Sequence, residues 1–471
     1  MKRLTPWHIS LFIFLITGAL AGIAAVYPEE GISIGDLTLR FPTLRSFLDN
    51  EEEQPAKEPA LSPEELLALR AQEARKAEET GFLHYFKSNP SCIHWPQEDS
   101  CSIGDSTYFD DFYTALRHAR DSAVHIVHYG DSQIEEDRIT RTVRRQLQAR
   151  FGGGGPGLTP LYQSIQTLTT GQQTSPEPKR FLVYGNPTYR RTGDNRYGPM
   201  GQVALVDTTI TYSVVPRSKV TGIYSAHYFN RLTLLSSADS ELTLTIKGKA
   251  TRVTPANTPM QLTTISLPDS TTSVSMRVAG TGEVYGVLLG QTTGVGVDNI
   301  PMRGCSGMIF TNIQAAQLRT YYRATRTGLI ILQYGGNNVP HLYTEEDADN
   351  YAAALVSQIR YLQRQSPDAA ILFIGPSDMT TRRKGELRTY PILPYLERKL
   401  RQEVTMAGVA YWSMYDSMGG EGSMPQWVAS GLAGKDYVHF TRKGADNAGN
   451  MLCDALLNGY KFYLWRNHLD D

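Results

Sequence analysis

Three side chains in two short motifs could form a nucleophilic hydrolase. Ser132 lies in Tyr129-Gly130-Asp131-Ser132-Gln133-Ile134-Glu135, and His439 closes Asp436-Tyr437-Val438-His439. A serine hydroxyl is a poor nucleophile at neutral pH. It needs a base within hydrogen-bond reach, and that base needs an orienting group. An Asp three residues before a His can reach the same imidazole from a single turn, so Asp436 and His439 suit those two roles. Asn337, in Gly335-Gly336-Asn337-Asn338, could donate its side-chain amide to an oxyanion. Each motif alone is weak. An isolated Asp-x-x-His reads as a surface loop, and Gly-Gly-Asn-Asn as a turn. Gly-Asp-Ser occurs twice, and the copy Gly104-Asp105-Ser106 follows Cys101-Ser102-Ile103, not an apolar strand. That copy reads as a turn and helix cap.

The elements around Ser132 separate the two copies. Ala123 to Tyr129 reads as a buried strand, and Glu136 to Arg150 as a helix ended by Gly152 to Gly155. Ser132 is thus expected at a strand end, where open α/β sheets bind ligands, and at a helix N-terminus, whose free N–H groups favour negative charge. Phe109 to Arg120 reads as a preceding helix. After residue 300 the alternation resumes. Strands are predicted at Leu329 to Tyr334, Ala369 to Ile374 and Val409 to Met414. Helices are predicted at Asp347 to Gln365, Leu393 to Ala407 and Lys443 to Leu457, the last stopped by Asn458-Gly459. Such alternation implies a parallel sheet covered on both faces.

Between these parts, from about Tyr162 to Thr293, the pattern is short runs of Thr, Val, Ser and Leu with turn signals. Thr208 to Val214, Arg231 to Leu235, Glu241 to Lys247, Gln261 to Leu267, Ser273 to Val278 and Glu283 to Leu289 read as strands. They form an all-β module, a sandwich or jelly roll, inserted into the α/β domain.

The chain has 471 residues, a net charge of -1 and 41% hydrophobic residues, which allows a sizeable core and gives no electrostatic case for a nucleic-acid partner. The 4 cysteines show no zinc-like spacing. Cys92 and Cys101 permit a disulfide in an oxidising compartment, while Cys305 and Cys453 read as buried thiols. Lys2 and Arg3 precede an apolar run from Leu11 to Val26, flanked by Trp7 and Tyr27. That pattern fits an uncleaved membrane anchor or a cleaved signal segment, with the rest exported. Asn50 to Pro63 reads as a solvated linker. A charged surface helix follows, from Ser62-Pro63 to Gly81.

Taken together and in this order, the motifs resemble the SGNH (GDSL) hydrolase family. Gly130-Asp131-Ser132 is similar to its nucleophile block, Gly335-x-Asn337 to its oxyanion block, and Asp436-x-x-His439 to its terminal acid–base block. The resemblance covers the α/β parts, roughly Phe109 to Gly152 and Asn299 to Gly459. One departure is Asn338, where the family often has Asp or Glu. The resemblance implies catalytic Ser132, Asp436 and His439, oxyanion Asn337, and a second oxyanion donor from a glycine N–H. Gly304 and the run Gly152 to Gly155 are the candidates, with Gly304 favoured by its place after the inserted module. The implied fold is a three-layer α/β sandwich. The expected segments are 1–28 (signal-anchor), 29–108 (linker and charged helix), 109–160 and 295–471 (SGNH domain) and 161–294 (β-module). The implied function is an exported esterase removing O-acetyl groups from peptidoglycan or another envelope glycan, held at the membrane by its N-terminal segment, with no cofactor or metal. Two alternatives stand. One is an O-acetyltransferase partnered by a membrane-bound O-acyltransferase. The other is a glycan-binding protein without catalysis. The loop Gly419 to Trp427 suits a sugar-facing wall or a plain connection, and Arg382-Arg383-Lys384 reads as a basic turn that could attract an anionic glycan.

Overall fold

The computed structural model describes residues 6–28, 31–34, 37–39, 63–98, 102–191, 193–217, 227–383 and 385–470. The chain divides into two compact units, Met1–Glu78 and Glu79–Asp471. In the first, the apolar run forms a helix, Pro6–Val26, followed by a small hairpin of Ile32–Ile34 and Leu37–Leu39. Among the described residues, no helix is long and apolar enough to cross a membrane, so the expected anchor has no support in the structure. Most of the expected linker lies outside the described residues.

The charged helix runs Pro63–Ser88 and does not stop at Gly81. Its last turns are not a surface spacer. Phe86 is buried, 4.5 Å from the Trp95 ring and 5.3 Å from Phe462. Aromatic packing at these separations outweighs the roughly 1 kcal/mol that a glycine costs inside a helix.

Both sheets lie in the second unit. The first has six strands: β1 (Ile93–His94), β2 (Val124–Gly130), β3 (Val295–Pro301), β4 (Thr327–Gln333), β5 (Ala370–Ile374) and β6 (Ala410–Trp412). Their order is β3-β2-β4-β5-β6-β1. All pairs are parallel except β1 with β6. Successive side chains of a strand point to opposite faces, and here both faces are apolar. Ile126, Leu329 and Ile331 join one core with helices Asp110–Arg117, Thr140–Phe151 and Arg442–Arg466. Val127, Ile330 and Leu332 join the other, with Ala315–Thr325, Glu345–Gln365 and Leu393–Met406. The result is a three-layer α/β sandwich.

The segment between the two α/β parts forms a ten-stranded sheet whose pairs are all antiparallel. The two strands expected at 273–289 are one, Val274–Gly290, which pairs with partners along its whole length. Inward residues such as Leu232, Leu242, Val278 and Val287 bury a core of their own. This region begins earlier than residue 161, because Gly157–Thr159 already pairs with Val274–Gly290.

Two helix boundaries differ from expectation near the site. The helix after Ser132 starts at Thr140, not Glu136, because Glu136 and Asp137 adopt left-handed φ values of 60° and 65° and break it. Ser132 therefore does not sit at a helix N-terminus. The last helix continues past Asn458-Gly459 to Arg466. Gly459 there permits close packing: a Cβ on it would lie 2.2 Å from the Tyr113 hydroxyl. Cys92, Cys305 and Cys453 are buried free thiols, and Cys101 lies outside the described residues.

Candidate active site

Parallel register brings distant residues to one edge. Gly130 ends β2, facing Pro301 of β3 on one side and Gln333 of β4 on the other. The loops leaving these three strands carry Ser132, Gly304 and Asn337 respectively. The turn carrying Asp436 and His439 reaches the same edge. It is tied to Gln133, whose Nε2 donates to the Val438 carbonyl at 2.8 Å.

Ser132 Oγ and His439 Nε2 are 2.9 Å apart, and His439 Nδ1 is 2.8 Å from Asp436 Oδ2. An ionised carboxylate can only accept, so Nδ1 carries the ring proton and Nε2 is left to accept from the serine. The other Asp436 oxygen accepts the N–H groups of Val438 and His439, each at 3.1 Å. Partial burial pushes the Asp436 carboxyl up. Hydrogen bonds from the His439 ring and from these two N–H groups outweigh that, so it titrates below the ordinary range. Tyr437 at φ 58° makes the tight turn possible, and its carbonyl accepts the Thr380 N–H at 3.2 Å.

Arg138 joins the two turns. Its guanidinium donates to the carbonyls of Ser132 (2.5 Å), Glu135 (3.0 Å) and Phe440 (3.2 Å). Neither Gln133 nor Arg138 stands out in the sequence, since both look like ordinary polar residues following a motif.

Asn337 lines the same cavity, of about 280 Å³, together with Ser132, His439, Tyr334, Pro376 and Met379. Its Nδ2 donates to Asp131 Oδ2 at 2.9 Å and to the Cys305 carbonyl at 3.1 Å, so both amide hydrogens are engaged. Burial pushes the Asp131 carboxyl up to about 6.

Gly304 follows β3 on a turn anchored by the Met302 N–H, which donates to the Gly130 carbonyl at 2.7 Å. It has φ 73° and open space where a Cβ would lie, and it is not among the residues lining the cavity. The glycine run has a different place. A Cβ on Gly153 would lie 2.4 Å from the Val295 nitrogen, at the start of β3. Seven-residue strands put that end roughly 20 Å from Ser132.

Of the two readings of Gly419 to Trp427, the structure favours the plain connection with a packed Trp. Trp427 is buried in a short helix, Ser423–Ala429, 5.0 Å from the Phe440 ring, and donates to the Met418 carbonyl at 3.0 Å. Arg382 and Arg383 lie exposed in a hairpin of Thr380–Arg383 and Glu386–Thr389, while Lys384 lies outside the described residues. Ser106 sits before the helix Asp110–Arg117, accepting from Arg466 at 3.2 Å, away from any strand end.

The GDSL-like lipase/acylhydrolase family profile matches residues 269–446, which include Asn337, Asp436 and His439. Residues 269–446 thus carry a GDSL-like lipase/acylhydrolase domain. Ser132 precedes the matched range, separated from it by most of the β-rich region. No curated protein matches the chain by sequence. A solved structure of a peptidoglycan O-acetylesterase is similar in fold, with 20% identity and a TM-score of 0.62 over 76% of this chain and 98% of that one. A family two carbohydrate esterase from Cellvibrio japonicus aligns with 12% identity and a TM-score of 0.26, over 63% of this chain and 99% of its own. Among the described residues, no group of three or more His, Cys, Asp or Glu side chains could hold a metal ion.

Proposed function

We propose that this acylhydrolase is an exported serine esterase that removes O-acetyl groups from peptidoglycan or another cell-envelope glycan, with Ser132, His439 and Asp436 as its triad. The observation that carries the reading is the hydrogen-bonded chain from Ser132 Oγ through the imidazole to Asp436. Ser132 Oγ attacks the acetyl carbonyl while its proton passes to His439 Nε2. Asp436 holds the ring and stabilises the imidazolium. The C–O bond to the sugar then breaks, and the imidazolium returns its proton to the leaving sugar oxygen. Water, deprotonated by His439, attacks the acetyl-enzyme and releases acetate and Ser132. Asn337 gives one amide hydrogen to the oxyanion by turning it away from the Cys305 carbonyl. A backbone N–H of the Gly304 turn is the second donor. Export rests on the apolar N-terminal helix with its preceding Lys2 and Arg3.

Ser132→Ala should reduce release of p-nitrophenol from its acetate ester by about 10³-fold or more. Ser106→Ala should leave it unchanged. Equal loss in both variants, with folding intact by circular dichroism, would overturn the assignment. Acetate appearing on a second sugar in place of free acetate would turn the reading to transfer.

A further inference from the structure

A second cavity, of about 190 Å³, lies beside the Ser132 turn and shares no residue with the first. One wall comes from the α/β part: Glu135, Asn299 and Arg303. The other comes from the β-rich region, including Tyr162, Gln163, Arg180 and Gln202. Glu135 is three residues past Ser132, and Arg303 immediately precedes Gly304, so the cavity abuts the nucleophile turn.

Its walls are fastened to each other. The Leu168 N–H donates to the Glu136 carbonyl at 2.8 Å, and Thr169 Oγ1 donates to Asp137 Oδ2 at 2.6 Å. Asp137 is buried in an ion pair with the fully buried Arg144, at 2.6 Å. These bonds hold Glu136 and Asp137 in left-handed backbone, a costly conformation for non-glycine residues that persists where surroundings over-determine it. A connecting loop does not need such a clamp, whereas a preorganised subsite does.

The chemistry of the lining fits a sugar ring. Leu158, Leu182 and Met200 give an apolar floor, and Gln163, Gln202 and Asn299 offer both donors and acceptors. The Arg180 guanidinium lies 4.5 Å over the Tyr162 ring, and the Arg303–Glu135 pair at 3.5 Å balances the charge at the other side. A mixed polar rim over an apolar floor, with paired charges, suits a neutral hydroxyl-rich ring better than an anion.

We propose that this cavity is a subsite for an unmodified sugar residue of the glycan chain, next to the residue whose acetyl group meets Ser132. The proposal rests on the glycan reading above. It assigns the β-rich region's first loop, 162–170, to holding the polymer and not to the chemistry.

The test uses the full chain and two probes, p-nitrophenyl acetate and a chemically O-acetylated chito-oligosaccharide. Tyr162→Ala removes the aromatic wall. Ser164→Trp, at an exposed loop position lining the cavity, plugs it without touching the core. Each variant should lower the ratio of oligosaccharide to p-nitrophenyl acetate kcat/KM by about tenfold or more, through KM. Ratios within about twofold of wild type in both folded variants overturn the subsite but leave the esterase reading intact. A wild-type protein that cleaves p-nitrophenyl acetate but no acetylated sugar overturns the glycan reading and the subsite with it.

Discussion

Asp131 and Asp436 show how two carboxyls of one site are set apart by their surroundings. Asp436 is half exposed and fully hydrogen-bonded, and so stays ionised. Its replacement by Asn leaves the ring free to take the wrong tautomer, and Asp436→Asn should lower kcat on p-nitrophenyl acetate by up to about 10⁴-fold. A loss below about tenfold would show that another group orients His439. Asn337→Ala removes one proposed oxyanion donor and should cost about 10²–10³-fold in kcat with little change in KM.

Another buried carboxyl, Glu397, lies behind the site. Tyr411 donates to its Oε2 at 2.5 Å, while its Oε1 has no partner. Burial pushes its pKa up to about 7. In the unfolded chain the group titrates near about 4.3. Between these values the folded protein keeps a proton that the unfolded chain has lost. Stability from this site is therefore full below the lower value and falls as pH rises towards about 7. Wild type should lose on the order of 3–4 kcal/mol across that window from this group alone. Glu397→Gln should flatten that slope in urea unfolding measured at several pH values, and an unchanged slope would refute the assignment.

At the scale of elements, the helix Arg442–Arg466 depends on one close approach. Tyr113 is buried, its hydroxyl donates to the Leu456 carbonyl at 3.2 Å, and Gly459 leaves room for it. A glycine in a helix ordinarily gains stability from replacement by alanine. Here the added methyl meets the hydroxyl, so Gly459→Ala should instead lower stability by about 1–3 kcal/mol. A higher melting temperature for this variant would show that the helix can shift. The Asn458-Gly459 pair reads locally as a stop, and only the partner across the core shows why it is not one.

At the scale of the molecule, the β-rich region is built into the α/β sheet and does not hang from it. Asp298, fully buried in β3, accepts from the Leu158 N–H at 2.7 Å and from the Tyr321 hydroxyl at 2.5 Å, and lies 2.8 Å from His125 Nε2. One carboxylate thus links the entry strand of the β-rich region, two strands of the sheet and a covering helix. Asp298→Ala strands three buried polar groups and should cost about 3–5 kcal/mol in denaturant unfolding. A cost under about 1 kcal/mol would mean that the two sheets are held together elsewhere. Excision of residues 161–294 would also strip Gly157–Thr159 of the strand it pairs with.

The sequence by itself determined the candidate reacting groups, the alternation of strands and helices, and the β-rich insertion. These are local properties: side-chain chemistry, periodicity of two or about 3.6, and turn residues. It also separated Ser132 from Ser106, because only one follows an apolar strand. The tertiary structure decided what depends on residues far apart in the chain. The pairing of Gly130 with Pro301 set Gly304, and not Gly152 to Gly155, beside the Ser132 turn. The Leu168 bond to Glu136 broke the helix where the local pattern predicts it to begin. Arg138 and Gln133 became the braces between two turns some 300 residues apart only because the strand register brought them there. Distances of that kind follow from how the sheet packs, which no local pattern of residues encodes.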